Sequence, residues 1–507
     1  VKVATVQKIE ANQEFPKYLL KKSWRNWLIG NPLATADAPH QTIGRLIGLA
    51  VFSSDALSSV AYAPQELLTV LAVAGTAAFG YALPLVGAII VLLVILTLSY
   101  EQTIHAYPGG GGAYIVARDN LGELPAQTAG AALLTDYILT VAVSISSGVA
   151  QLVSAYPPLF TYRVWISVAM VLFVMLINLR GVKESGFTFA IPTYFFLLMM
   201  YLTVAVGLIQ MATGTLISVP NPPEMVSYPV LQPIAFFLIL KAFSSGTTAL
   251  TGVEAISNGI TAFKEPRSRN AGHTLIMMAV ILGSLFLGIS FLAHHIGAVP
   301  SDAETLISQL GRTVFDSRGI LYLGMITSTT IILMMAANTA FADFPRLSAI
   351  SASDGFLPRQ LTYRGSRLVY SRGIVALAVI ASGLIVLFQA SVTRLIPLYA
   401  IGVFLSFSLS QTGMARRWWK SGHLKPDEEI VEQGSTVRFD KGWMHKMVIN
   451  ALGAVCTFIV MFVFAITKFH DGAWIVVLLI PTLVIIFFSI HRHYKELAHQ
   501  LSLDRCH

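Results

Sequence analysis

Charge is what this sequence has least of. Asp, Glu, Lys and Arg make up 12% of its 507 residues, against about 25% in a soluble domain. Hydrophobic residues make up 55%. So little charge excludes a water-soluble domain of this length and leaves an integral membrane protein. Cysteine is nearly absent as well. Cys456 lies in a hydrophobic segment and Cys506 near the end, which argues against a disulfide framework. Residues 1–40 are polar and basic and contain no apolar h-region, so no signal peptide is expected. The chain begins at Val1, so a trimmed or processed terminus is expected. Alternating ten-residue strands are missing, which excludes a transmembrane barrel. The apolar segments contain no His/Cys pair at ligand spacing, which argues against a transition-metal site.

What the sequence does have is a series of long apolar runs. About twelve spans are predicted, near 45–75, 82–105, 125–154, 163–179, 188–212, 233–261, 272–296, 317–341, 372–389, 394–414, 446–467 and 472–491. Most reach the roughly 20 residues a spanning helix needs, so the predicted fold class is an all-α integral membrane protein. Basic residues crowd alternate connections: Lys17, Lys21, Lys22 and Arg25; Arg180 and Lys183; Lys264, Arg267 and Arg269. Arg346, Arg359, Arg364, Arg367 and Arg372, then Arg416, Arg417, Lys420 and Lys425, continue the series. The opposite connections, such as 213–232 with Glu224, are nearly bare. The positive-inside rule then predicts a multi-pass protein of the cell membrane with both termini cytoplasmic. The net charge of +8 belongs to those loops, and no nucleic-acid partner is expected. Residues 415–445 form the longest polar connection, too short for a folded domain. Trp418 and Trp419 within it read as interface anchors.

Ionisable residues inside spans are the informative ones, because each is expensive at membrane depth and marks function by default. The first span contains "AVFSSDALSSVAYAPQE", with Asp55 and, seven residues on, Tyr62 on the same helix face. The third contains "LLTDYILTVAVSISSG", where Asp136, Thr140 and Ser144 align at i, i+4 and i+8. The sixth contains "KAFSSGTTALTGVEAISNG", with Thr251 and Glu254 one turn apart. Carboxylates accompanied by hydroxyl and carbonyl oxygens suit a hard cation. The Ser- and Gly-rich stretches 52–59 and 243–252 predict that spans one and six are broken near Ser53–Ser59 and Ser244–Gly252. Interrupted helices at corresponding places in two halves point to a transporter site at the repeat interface.

The stretch "AYPGGGGAYIVARDN" after span two resembles the Tyr-Pro-x-x-Gly-Gly-x-Tyr element of the amino acid–polyamine–organocation superfamily. The first span resembles that of KimA-type potassium importers, relatives of the KUP transporters, and the likeness runs over roughly 45–491. It implies a LeuT-type fold of 5+5 inverted repeats with helices 1 and 6 broken. It implies a transporter core at 45–414, a cytoplasmic N-terminal segment at 1–44, a linker at 415–445, helices 11 and 12 within 446–491 and a tail at 492–507. It also implies a potassium site built from Asp55, Tyr62, Asp136, Thr140, Ser144, Thr251, Glu254 and Tyr399, the last in "IPLYAIGVF". No cofactor is implied beyond potassium and protons as transported ions, and a homodimer is. Relatives carry a cyclic-dinucleotide-responsive domain after span twelve. This sequence stops at His507, so that regulation is expected only if such a domain exists beyond it.

Each feature has a plainer reading. A lone intramembrane Asp can be structural glue, and Tyr62 and Tyr399 can be packing residues. The glycine run 109–112 lacks the following Gly-Lys-Ser/Thr of a phosphate loop and reads as a turn. His294 and His295 read as interfacial residues, and Lys241 as one half of a structural ion pair. Two functions then compete: proton-coupled potassium import, and proton-coupled amino acid transport by the same fold. Amino acid carriers of this fold hold the substrate carboxylate on a glycine-rich turn of span one, whereas here that turn presents Asp55. A channel would show filter loops such as Thr-Val-Gly-Tyr-Gly, and none occurs in the sequence. Crowded carboxylates repel one another, so one should carry a proton part of the time. Glu254 is the first candidate for this coupling and Asp136 the second.

Overall fold

The computed structural model describes residues 43–110, 112–180, 186–225, 233–315, 318–365 and 369–501. Lys17, Lys21, Lys22, Arg25, Gly111, Lys183, Arg367 and Cys506 lie outside the described residues. The protein is an all-α membrane protein. Among the described residues eleven helices are long and apolar enough to cross a bilayer, and Ser371–Leu387 is a shorter apolar helix of 17 residues. Twelve predicted spans therefore correspond to twelve helical crossings.

Ten of the crossings are regular. Span 2 is Ala82–Ala106, span 3 Glu123–Ala155, span 4 Arg163–Leu179 and span 5 Gly186–Ala212. Span 7 is Arg267–His295, span 8 Ile320–Ser353 and span 9 Ser371–Leu387. Span 10 is Val392–Gly422, span 11 Trp443–Thr467 and span 12 Trp474–Leu501. Spans 8, 10 and 12 run well past their predicted ends at 341, 414 and 491. A 34-residue helix such as span 8 is about 51 Å long, against about 30 Å of hydrocarbon. Hydropathy finds where the lipid ends, not where the helix does.

Two crossings are interrupted, and the sequence explains where. Span 1 consists of Arg45–Phe52, Ser54–Ser58, a tighter turn at Ser59–Ala61, and Ala63–Leu71. The Ser58 hydroxyl donates to the Asp55 carbonyl at 2.8 Å and the Ser59 hydroxyl to the Ala56 carbonyl at 2.6 Å. Such back-bonding competes with the helix ladder and bends it. Tyr62 leaves helical geometry at φ −127°, and the helix restarts with Pro64 in its first turn, where a missing N–H is harmless. Span 6 consists of Phe236–Gly246, a tight turn at Thr247–Leu250, and Ala255–Asn258. Between the last two, Thr251 is extended (ψ 147°) and Gly252 sits at φ +80°, a conformation that favours glycine. The break thus falls a little later than the predicted Ser244–Gly252, because Ser244 and Ser245 still continue the first half-helix.

Span 3 packs against both span 8 and span 10, and the three frame the interrupted pair. The start of span 1 and the segment that follows span 6 are joined by a short parallel bridge between Ile43 and Phe263.

The polar connection 415–445 differs from its expected form. Helix continues to Gly422, and a hairpin of β1 (Glu429–Val431) and β2 (Thr436–Arg438) fills the middle. Trp418 is not an interface anchor. It is buried against Tyr107, Val116 and Met414, with the Lys446 ammonium 4.4 Å from its ring centre. Trp419 is exposed, as are His294 and His295 at the end of span 7.

Candidate functional site

The two interruptions meet. The Ser59 hydroxyl reaches across from span 1 to the Ala249 carbonyl at 2.9 Å, supplying a donor where the helix ladder of span 6 has lapsed. The Asp55 carboxylate lies directly against Gly252. A Cβ on that glycine would fall 2.7 Å from Asp55 Oδ2 and 2.8 Å from the Ala56 nitrogen. Only a residue without a side chain lets the two backbones approach so closely. Seven residues after Asp55, the Tyr62 hydroxyl stands 3.5 Å from that of Thr251, and Thr251 donates to the Thr248 carbonyl at 3.0 Å.

Spans 3 and 10 close the other side. Thr140 donates to the Tyr399 hydroxyl at 3.2 Å, and the Tyr62 hydroxyl faces that of Tyr399. A Cβ on Gly402 would lie 2.9 Å from the Ala132 carbonyl and 3.8 Å from Asp136 Cβ, so a small residue brings span 10 against the turn that carries Asp136. Asp55, Tyr62, Thr140, Thr251 and Tyr399 are thereby linked in one cluster. Asp136 and Glu254 are buried beside it, and the three carboxyls feel one another's charge. Ser144 is buried one turn beyond Thr140, with no direct contact to the others among the described residues.

Asp55 Oδ1, Asp136 Oδ1 and Glu254 Oε2 are buried and have no hydrogen-bond partner among the described residues. Buried carboxylate oxygens are almost always satisfied, so three unpartnered ones, two at the adjacent breaks and one on the unbroken span 3, mark a place suited to a positive charge. Among the described residues, no three His, Cys, Asp or Glu side chains are arranged to hold a metal ion between them. Among the described residues the acids therefore do not form a joint chelating cluster, and neutral hydroxyl and carbonyl oxygens lie beside them.

Two cavities flank this cluster. On the side where span 1 ends, a cavity of about 80 Å³ is lined by Tyr62, Glu66, Ser146, Ser147 and Thr393, among others. On the side where it begins, a cavity of about 120 Å³ is lined by Gly109, Gly110, Gly112, Tyr137, Asn258 and Asp343, among others. The glycine run thus forms part of a cavity wall. A Cβ on Gly112 would come 2.7 Å from Asn258 Oδ1.

Several residues here escaped the sequence reading. Glu66 is 2% exposed; it ends the quoted Asp55 stretch, inside the predicted span 45–75, and is not singled out there. Asp343 is buried and pairs with Arg346 at 3.7 Å, but it falls two residues past the predicted end of span 8. Tyr100 of span 2 is buried, with its hydroxyl within the field of Glu254. Lys241 pairs with Asp471 at 2.8 Å, not with any of the three acids.

Two comparisons bear on this geometry. The family model described as "Amino acid permease" matches residues 42–488. The chain is also 46% identical over 481 residues to the Bacillus subtilis (strain 168) protein named "Potassium transporter KimA", an alignment covering 95% of this chain and 76% of that one.

Proposed function

The chain belongs to the amino acid permease family, and on that premise we propose that it is a secondary transporter importing potassium by alternating access. Its work is carriage, not covalent chemistry. The observation that carries the reading is the position of Asp55, whose carboxylate occupies the junction of the two interrupted helices. Two like charges about 4 Å apart at an effective dielectric of 20 repel by about 4 kcal/mol. That is nearly a thousandfold against an amino acid carboxylate at this junction, and the same field favours a cation. The choice of potassium rests on the 46% identity to a protein so named.

In this reading Asp55, Tyr62, Asp136, Thr140, Ser144, Thr251, Glu254 and Tyr399 replace the hydration shell of the ion. Spans 1, 2, 6 and 7 rock against the remainder and open the two flanking cavities in turn. Glu254 is the coupling group and Asp136 the second choice: each has an unpartnered carboxylate oxygen and stands close enough to the other acids for a proton on one to relieve their repulsion. The carrier works in the cell membrane with cytoplasmic termini, as a homodimer, with the basic connections inside.

The family description favours a second reading, amino acid transport. Thermal unfolding of the purified protein separates the two, because a ligand that binds the folded state raises the midpoint in a saturable way. Potassium should raise it and alanine should not. Saturable stabilisation by alanine alone overturns the potassium reading.

A further inference from the structure

We infer that the cavity above Tyr62 is a second cation site, a staging post for potassium centred on Glu66. The inference rests on the carrier reading of the preceding section but concerns a separate set of residues. Glu66 follows Tyr62 by one turn, with its N–H donating to the Tyr62 carbonyl at 3.0 Å. The cavity it lines therefore adjoins the Asp55 cluster directly. Glu66 Oε1 accepts one hydrogen bond, from Thr393 at 3.0 Å.

The cavity also presents Ser146 and Ser147, 1% and 2% exposed, whose hydroxyls have no partner among the described residues. Among its other polar side chains, Gln151 accepts from Thr305 at 2.8 Å, and Gln65 is held by Leu306 N–H at 3.0 Å. The buried Glu66 carboxylate and two unengaged hydroxyls are hard donors of the kind an alkali cation takes. A volume of about 80 Å³ holds such an ion with one or two waters, each occupying about 30 Å³. Asp302 and Arg163 also line this cavity, and Arg163 is turned onto the Phe160 ring at 4.2 Å.

A buried carboxylate needs a counter-charge, and the chain supplies one. Lys468, 5% exposed, acts on Glu66 through space and also stands 3.9 Å from Asp471. An arriving potassium ion takes over the neutralisation of Glu66 while Lys468 stays with Asp471. Lys468 is thus a tethered competitor for the site, and the two residues have opposite influences on potassium.

The test is potassium uptake by the full chain in proteoliposomes, read as the half-saturating concentration. Glu66→Gln should raise it by about tenfold, the effect of losing one charged ligand. Lys468→Gln should lower it by several-fold. A structural ion pair predicts no such opposition, because both variants would then destabilise the fold and leave the concentration dependence alone. If Glu66→Gln does not fold, Lys468→Gln decides: a lower half-saturating concentration supports the site, and an unchanged or higher one overturns it. Unchanged dependence in both variants overturns this inference alone. No potassium uptake by the unaltered chain overturns it together with the carrier reading.

Discussion

In spans 1 and 6 the backbone is interrupted at Tyr62 and Gly252, and the residues around the breaks are buried serines, threonines and acids. Span 11 instead runs unbroken from Trp443 to Thr467 and exposes Val448, Leu452, Val455, Phe458, Ile459 and Phe462. Both are helical answers to the same solvent. A continuous helix satisfies its own backbone and can give one face entirely to lipid. An interrupted one needs donors and acceptors from elsewhere, such as Ser59 on the Ala249 carbonyl, and survives at depth only where it is enclosed by protein or lines a cavity. The contrast shows where the chain carries unfavourable polar groups and, on this account, where it carries its cargo.

The predictions test that contrast. Asp55→Asn removes a charge and almost no volume at the break, so potassium uptake should fall at least a hundredfold in a mutant that still inserts and purifies normally. Wild-type uptake by such a mutant would falsify the ligand role. Gly252→Ala is expected to be nearly as severe. Its Cβ meets the Asp55 carboxylate at 2.7 Å in a backbone conformation at φ +80°, a strain of about 1–3 kcal/mol beyond the steric clash. A lowered unfolding midpoint together with lost uptake would bear this out, and near-normal values for both would show that the two breaks do not touch. Glu254→Gln should leave downhill potassium flux within reach but remove its stimulation by an inward proton gradient; retained stimulation moves the coupling role to Asp136.

Tyr399→Phe deletes one hydroxyl from the Thr140 contact, so a rise of about tenfold or less in half-saturating potassium is expected. Val455→Ala on the exposed face of span 11 should change uptake less than twofold. A large effect there would mean that the continuous spans do more than face lipid.

Much of this contrast is legible in the order of residues. The twelve crossings follow from apolar length alone, and both breaks follow from Ser and Gly clustered beside acids. What is not legible follows from how helices end. Asp343 and Arg346 lie on a polar extension of span 8 that hydropathy assigns to a loop. Trp418 looks like an anchor from composition, but it is enclosed because helix 10 continues to Gly422. Glu66 is hidden for another reason: its partners Thr393, in span 10, and Lys468, just after span 11, lie more than 300 residues away, and no local pattern announces them. The proximity of Asp55 to Gly252 is likewise a tertiary fact, although the glycine itself hints at a close approach.

The most direct measurement of the central claim is ion and solute flux by the purified chain in proteoliposomes, comparing potassium, sodium and alanine with and without an inward proton gradient. The account predicts potassium accumulation that the gradient accelerates, little sodium uptake and no alanine uptake. Gradient-driven alanine uptake without potassium movement would contradict it and make Asp55 a structural acid in an amino acid carrier.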